Sequence, residues 1–314
     1  MRSAKYFGAG AASEVISLID VPVPAPGPGQ VLIRVGAVGL NPVDVKIRAA
    51  AEDFGVIEYS DRPGWDVAGV VTEVGAGVSS WRPGDRVFAL AGFPVAAQTL
   101  ADYAVVGAAD LASVPSDWSI AQAGAAPVVA LTAWQALEAA RVEPGQRVLV
   151  LGGAGGVGHL TVQLAKARGA EVIATAGPAK HELVRSWGAD LVVDYRDEAA
   201  LEEISRVDAV IVTVSDVTPP RQSIGDGTAV ITITALSEEQ RTLLADWGAA
   251  PVERILVHAD GTQLAEIADI ADDGGLTVHL DSEFPLERLA DAQERVETGR
   301  VTGKVVVVVD SAVR

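Results

Sequence analysis

Five glycines in the seven residues 152–158 (Gly152, Gly153, Gly155, Gly156 and Gly158) mark the place where this chain is best equipped for chemistry. A backbone so bare can wrap closely around a diphosphate. The order Gly153-x-Gly155-x-x-Gly158, with Ala154, Gly156 and Val157 in the open positions, fits the dinucleotide-binding fingerprint. Side chains at the glycine positions would obstruct the approach of a pyrophosphate, and a small residue at the third lets the helix lie close to the sheet. Unpaired N–H groups and the positive end of the helix dipole then face the phosphates. In a chain of 32 glycines the spacing alone also suits a plain tight turn. The setting separates the two readings. An apolar, β-branched run over 147–151 reads as a buried strand, 159–168 as a helix closed by Gly169, and 171–176 as a second strand.

The end of that second strand bears on which dinucleotide would bind. NAD sites place Asp or Glu about 20 residues beyond the first glycine, to hold the ribose hydroxyls. This chain reads Thr175, Ala176, Gly177, Pro178, Ala179, Lys180 there. No carboxylate is present to repel a 2′-phosphate, and Lys180 adds a positive charge. The pattern favours NADPH, with Thr175, Gly177 and Lys180 as candidate contacts; the bland role for Lys180 is a surface lysine on the next helix.

Composition sets outer limits. The formal net charge of −18 argues against nucleic acid and anionic membrane surfaces as partners. The absence of cysteine excludes disulfides and any cysteine-ligated zinc. The histidines His159, His181, His258 and His279 show no metal-ligand spacing, so no metal site is expected. No apolar run approaches the roughly 20 residues needed to span a bilayer, and the first ten residues lack the apolar core of a signal peptide, so the expected location is cytoplasmic.

The elements that would carry this turn follow from length and pattern. A chain of 314 residues suggests two domains. Up to about residue 117, short strands over 15–21, 31–38, 64–74, 86–91, 101–106 and 111–114 alternate with Pro/Gly turns, as in a compact barrel or sandwich. Asn41-Pro42 marks a turn and a short helix over 43–48; 54–63 reads as a loop. From residue 118 the chain changes character. A long Ala-rich helical stretch over 120–141, broken at Pro127, precedes strands over 147–151, 171–176, 191–193, 208–214, 228–234 and 254–258, with helices between most of them. Six strands alternating with helices is the doubly wound pattern. After about 262 the expected elements are a helix over 263–271, a strand over 276–280, a helix over 286–298 and a strand over 304–309. That last strand is expected to return to the first domain, giving boundaries of 1–117 with 263–314, and 118–262.

At full length the chain resembles the medium-chain dehydrogenase/reductase superfamily, and within it the zinc-free quinone oxidoreductase group related to zeta-crystallin. The resemblance rests on PVPAPGPGQVLIRV near the start, GLNPVDVKIR at 39–48, PGWDVAGVVTEVGAGV at 63–78, PGDRVFAL at 83–90, LTAWQAL at 131–137, GQRVLVLGGAGGVGHLTVQLAKARGAEVIATA at 145–176, GAD at 188–190 and GKVVVVV near the end. It implies an α/β protein: a GroES-like, mostly-β catalytic domain that includes the carboxyl terminus, a Rossmann domain binding NADPH, and a substrate cleft between them. It also implies a homodimer and reduction of quinones or α,β-unsaturated carbonyls. Asn41 and Thr132 match positions near the nicotinamide, Gly155 to Gly158 match the pyrophosphate turn, and Lys180 and Tyr195 match positions that hold the 2′-phosphate. Asp44 belongs to the same NPxD motif as Asn41, and a cap or fold-stabilising partner is its simpler role.

Plainer roles exist for the others: Asn41 as a turn former, Thr132 bonding its own helix, Tyr195 packing at a strand end. Tyr59 is a candidate proton donor beside water, and with Trp65 it belongs near the expected cleft. Two stretches depart from the family pattern, 215–227 and 49–61. The leading expectation is zinc-independent hydride transfer from NADPH to a quinone or enone. The rivals are an enoyl or tailoring reductase acting on an acyl or polyketide-like intermediate, and a noncatalytic NADPH-binding protein.

Overall fold

The computed structural model describes residues 1–51, 57, 59–95, 97–215 and 217–313. Its contacts divide the chain into two units, Met1–Leu131 with His258–Arg314, and Thr132–Val257.

The first unit is built on short strands: β1 (Arg2–Tyr6), β2 (Ile16–Asp20), β3 (Gln30–Leu40), β4 (Asp66–Val74), β5 (Arg86–Leu90), β6 (Tyr103–Gly107) and β7 (Leu111–Ser113). Three short helices join them: α1 (Ala12–Val15), α2 (Pro42–Ala50) and α3 (Ile120–Ala125). The chain returns to this unit late with α9 (Gly261–Asp272), β14 (Leu280–Pro285), α10 (Leu289–Glu297) and β15 (Lys304–Val308). The larger sheet runs β14-β15-β3-β4-β5-β7, while β1 and β2 form a separate ribbon. β3 is long enough to hold two partners on one edge. Residues 30–34 pair with β6, and 37–40 pair with β15, both antiparallel. Alternate residues of these strands (Val31, Ile33 and Val35; Val87 and Ala89; Val305 and Val307) point to one face and form the core.

The second unit begins inside α4 (Pro127–Ala139) and continues β8 (Arg147–Leu151), α5 (Gly156–Ala167), β9 (Glu171–Thr175), α6 (His181–Ser186), β10 (Leu191–Val193), α7 (Glu198–Glu202), β11 (Ala209–Val212), β12 (Ala229–Thr232), α8 (Glu238–Asp246) and β13 (Glu253–Arg254). Its sheet order is β10-β9-β8-β11-β12-β13 with every pairing parallel, the doubly wound order in which the first strand lies at the centre. Strands buried on both faces must be apolar where they are buried, as Val148–Leu151 and Ala209–Val212 are. Among the described residues, no helix is long and apolar enough to cross a membrane.

Several expectations need correction. The break lies at 131/132 rather than 117/118, because α3 packs on β3 and β4 of the first unit. On the return it lies at 257/258 rather than 262/263. The strand expected over 276–280 is instead at Leu280–Pro285. Leu276 and Val278 are buried, but their carbonyls accept from Trp118 Nε1 and Gln122 Nε2 (3.3 Å each) rather than from a ladder. α5 starts at Gly156, three residues before the apolar pattern, because the glycine turn itself opens the helix. Of the strand expected over 254–258 only Arg254 is paired, in the two-residue β13 (Glu253–Arg254). β1, with its mixed sequence RSAKY, was legible in no pattern and is held by its pairing with β2. Of the expected loop over 54–63, residues 54–56 and 58 lie outside the described residues.

Candidate functional site

The glycine turn is closed from below by the second strand. Gly152 leaves β8 with φ +87°, which only a residue without a side chain adopts easily. Its N–H donates to Thr175 Oγ1 (3.0 Å), and Gly153 N donates to the Thr175 carbonyl (2.9 Å). Thr175 is thus the staple of the turn, its hydroxyl engaged by protein. A Cβ on Gly158 would lie 2.1 Å from the Gly152 carbonyl oxygen, so helix and turn touch backbone to backbone. Gly155 is the N-cap of α5, and the first 5→1 helical bond runs from His159 N to the Gly155 carbonyl (3.0 Å). The amides of Gly156, Val157 and Gly158 come before it, at the positions where a helix has no acceptor of its own to offer. Bare backbone, leading amides and dipole fit a diphosphate. His159 is buried behind the turn, its Nδ1 against the Gly155 and Gly156 carbonyls and its ring 5.4 Å from Trp187, so it supports the bend.

Beyond β9 the chain forms a single 3-10 turn, Pro178–Lys180, in which Lys180 N donates to the Gly177 carbonyl (2.9 Å). Gly177 lies beside Tyr195 and Arg196. A Cβ on Gly177 would lie 3.9 Å from Tyr195 Cε1 and 3.7 Å from Arg196 Nη2. The Arg196 guanidinium lies 5.2 Å from the Tyr195 ring centre, within cation–π range, and pairs with Asp194 (3.1 Å). That pairing holds the Asp194 carboxyl below its ordinary range. Arg196 escaped the sequence reading; the usable signal was a cation adjacent to Tyr195 just after a Rossmann strand. A lysine, an arginine and an exposed tyrosine around Gly177 suit a 2′-phosphate.

In the first unit, Asn41 ends β3 and caps α2. Its N–H donates to Asp44 Oδ2 (2.8 Å), while Pro42 fills the first helical position, where no N–H is needed. The Asn41 side chain is 3% exposed and bonded at both ends: Nδ2 donates to Asp66 Oδ2 (2.9 Å) and Oδ1 accepts from Lys304 Nζ (2.5 Å). Lys304, equally buried, also donates to the Leu40 carbonyl (2.9 Å) and pairs with Asp66 Oδ2 (3.3 Å). The other Asp66 oxygen accepts from Val128 N (2.7 Å) in the first turn of α4. Asp66 therefore supplies the cap that Ala126, with no polar side chain, cannot.

Burial pushes the Asp66 carboxyl up and the Lys304 ammonium down; each is drawn back toward its charged form by the other, and Asp66 also by Asn41. With this set of bonds in place the ionised pair is the coherent state. Asp44 is different. Burial lifts its carboxyl to about 7, with the Asn41 amide opposing and Asp66 adding to the rise. Its Oδ1 has no hydrogen-bond partner.

Tyr59 lies near Lys5 and Asp61, which form an ion pair (3.0 Å), and burial raises its hydroxyl above the ordinary tyrosine range. Thr132 is buried on α4, one turn beyond Val128. Between β11 and β12 the described residues hold one 3-10 turn, Arg221–Ser223, and no α-helix; Asp216 lies outside the described residues. No group of three His, Cys, Asp or Glu residues among the described residues could hold a metal ion.

Residues 27–116 match the family model described as alcohol dehydrogenase GroES-like domain, and 187–307 match that of zinc-binding dehydrogenase. The chain is 34% identical to a 2-methylene-furan-3-one reductase of Solanum lycopersicum, over 98% of this chain and 79% of that protein. It is 36% identical to a chloroplastic NADPH-dependent alkenal/one oxidoreductase of Arabidopsis thaliana, over 92% and 74%. Its structure is similar to that of a quinone oxidoreductase from Coxiella burnetii, with TM-score 0.86, 29% identity and coverage of 98% and 99%.

Proposed function

Because the chain belongs to the medium-chain dehydrogenase/reductase superfamily, we propose that it is an NADPH-dependent oxidoreductase that reduces quinones or α,β-unsaturated carbonyls. The observation that carries this reading is the glycine turn at 152–158, set on the central strand of a doubly wound sheet with Lys180, Tyr195 and Arg196 in the stretch that follows β9 and β10. Its similarity to the alkenal/one and quinone oxidoreductases supports the choice of acceptor.

NADPH, when bound, supplies the hydride. The protein's part is to hold and orient. The leading amides of α5 take the diphosphate. Lys180 and Arg196 take the terminal phosphate, which an NAD-type carboxylate in that place would repel. Asn41 presents a fixed amide at the end of β3, and Thr132 a hydroxyl from α4. The Tyr59 hydroxyl keeps its proton at neutral pH and stands as a donor beside water. The cysteine-free sequence supports a zinc-independent reaction. The family resemblance supports a homodimer, and we place the protein in the cytoplasm.

The test is loss of the reduced-nicotinamide absorbance with a panel of quinones and enones, using protein treated with a chelator. Turnover on at least one member, undiminished by chelation, is expected. A folded sample that binds NADPH yet reduces none of them would sink the proposal. Tyr59→Phe with unaltered turnover would assign the proton to water.

A further inference from the structure

The strand residues after Lys304 are all valine, and an apolar side chain at 304 would continue the run. A buried ammonium there, facing a buried carboxylate, adds no stability that a matched apolar pair would lack. Its geometry shows what it does instead. One nitrogen reaches the last carbonyl of β3 (Leu40), the side-chain oxygen of the next residue (Asn41), and Asp66 on β4. Asn41 Nδ2 bonds the same Asp66 oxygen, so Asn41, Asp66 and Lys304 close a ring. An asparagine amide can turn over by half a rotation at small cost in water. Here that rotation would point its NH₂ at an ammonium and its oxygen at a carboxylate.

We infer that Lys304 is a positioning residue: its buried ammonium locks the orientation of the Asn41 amide and the exit of the chain from β3 into α2. The functional weight of that lock rests on the proposed function, in which Asn41 serves the nicotinamide end of the site. Lys304 itself touches neither substrate nor cofactor in this role.

The test uses the full chain with Lys304→Met combined with Asp66→Asn. The double variant leaves no unpaired buried charge, so it folds, and the asparagine that replaces Asp66 still offers an oxygen to Val128 N. A merely structural role for the pair predicts parental behaviour in it. Positioning predicts that kcat for enone or quinone reduction falls about 10- to 100-fold, while NADPH affinity by calorimetry stays within about twofold, since the diphosphate turn is untouched. Hydrogen exchange of the peptide covering 38–48 should also accelerate about tenfold in the variant without nucleotide, the mark of a local opening made easier. A kcat within about twofold of the parent, or unaltered exchange over 38–48, overturns the inference. If the parent protein itself reduces no acceptor, the proposed function fails separately, and the exchange measurement still judges whether Lys304 holds this turn.

Discussion

Two of the polar clusters among the described residues are opposites. Around Gly177 the Tyr195 ring and the Arg196 guanidinium lie toward water, with Tyr195 57% exposed, and Lys180 beside them is half-buried. Around Asn41 the groups are dry, and each Asn41, Asp66 and Lys304 side chain bonds the other two. An exposed cluster makes weak bonds within itself and keeps donors available for a ligand. A buried one forms bonds too costly to break and so sets geometry. On the proposed function, recognition of the nucleotide tail would fall to the first kind of site and alignment near the reacting end to the second.

This contrast can be broken experimentally, and the largest effect should come from the backbone that serves the exposed side. Gly158→Val places carbon 2.1 Å from the Gly152 carbonyl, so the turn cannot close; calorimetry should detect no NADPH binding. Next is Asp66→Ala, which leaves the Lys304 ammonium buried without its carboxylate and α4 without its cap. Urea unfolding should show a loss of roughly 3–5 kcal/mol.

Asp44→Asn should act with the opposite sign. Its carboxyl is raised from 3.8 to about 7 by burial, so the folded state favours the protonated form. That contribution is complete below the unfolded value and disappears as pH rises through about 7. The parent should therefore lose stability between about pH 4 and pH 8 from this group. Asparagine cannot ionise, and its side-chain oxygen still accepts from Asn41 N, so the variant should be more stable at pH 8 by on the order of 4 kcal/mol and close to the parent near pH 4. A parallel pH dependence in both proteins would show that Asp44 is not the group responsible. The smallest effects should lie in the exposed cluster. Lys180→Ala and Arg196→Ala should each weaken NADPH binding about tenfold and leave NADH nearly unchanged. Equal losses with both nucleotides would remove that residue from the phosphate site.

What could be read in advance follows the same divide. The nucleotide turn is local: strand, glycines and helix fall within 21 consecutive residues, 147–167, and every constraint on them acts between neighbours. The doubly wound sheet was legible for the same reason, each buried strand announcing itself as an apolar run. The Asn41 network was not. Its bonds join residues 25, 238 and 263 positions apart, and Lys304 stands in the motif GKVVVVV with no sign of which residues it would meet. Asp66 looked like one residue of a motif, PGWDVAGV, with no sign that it caps a helix beginning at Pro127. The misplaced strand over 276–280 has the same origin: apolar alternation reports burial, but whether a backbone joins a ladder depends on which neighbours arrive beside it, here the Trp118 and Gln122 side chains.

The return of β15 to β3 imposes an order on the making of this protein. Asp66 emerges 238 residues before Lys304. At the usual pace of translation that interval lasts roughly 12 to 50 s, during which β3 lacks the partner along its second half and the carboxylate lacks its cation. The nascent first unit must wait, incompletely zipped, while the nucleotide-binding sheet is synthesised and free to fold ahead of it. The five residues of β15 therefore close a seam that β3 opened early in the chain.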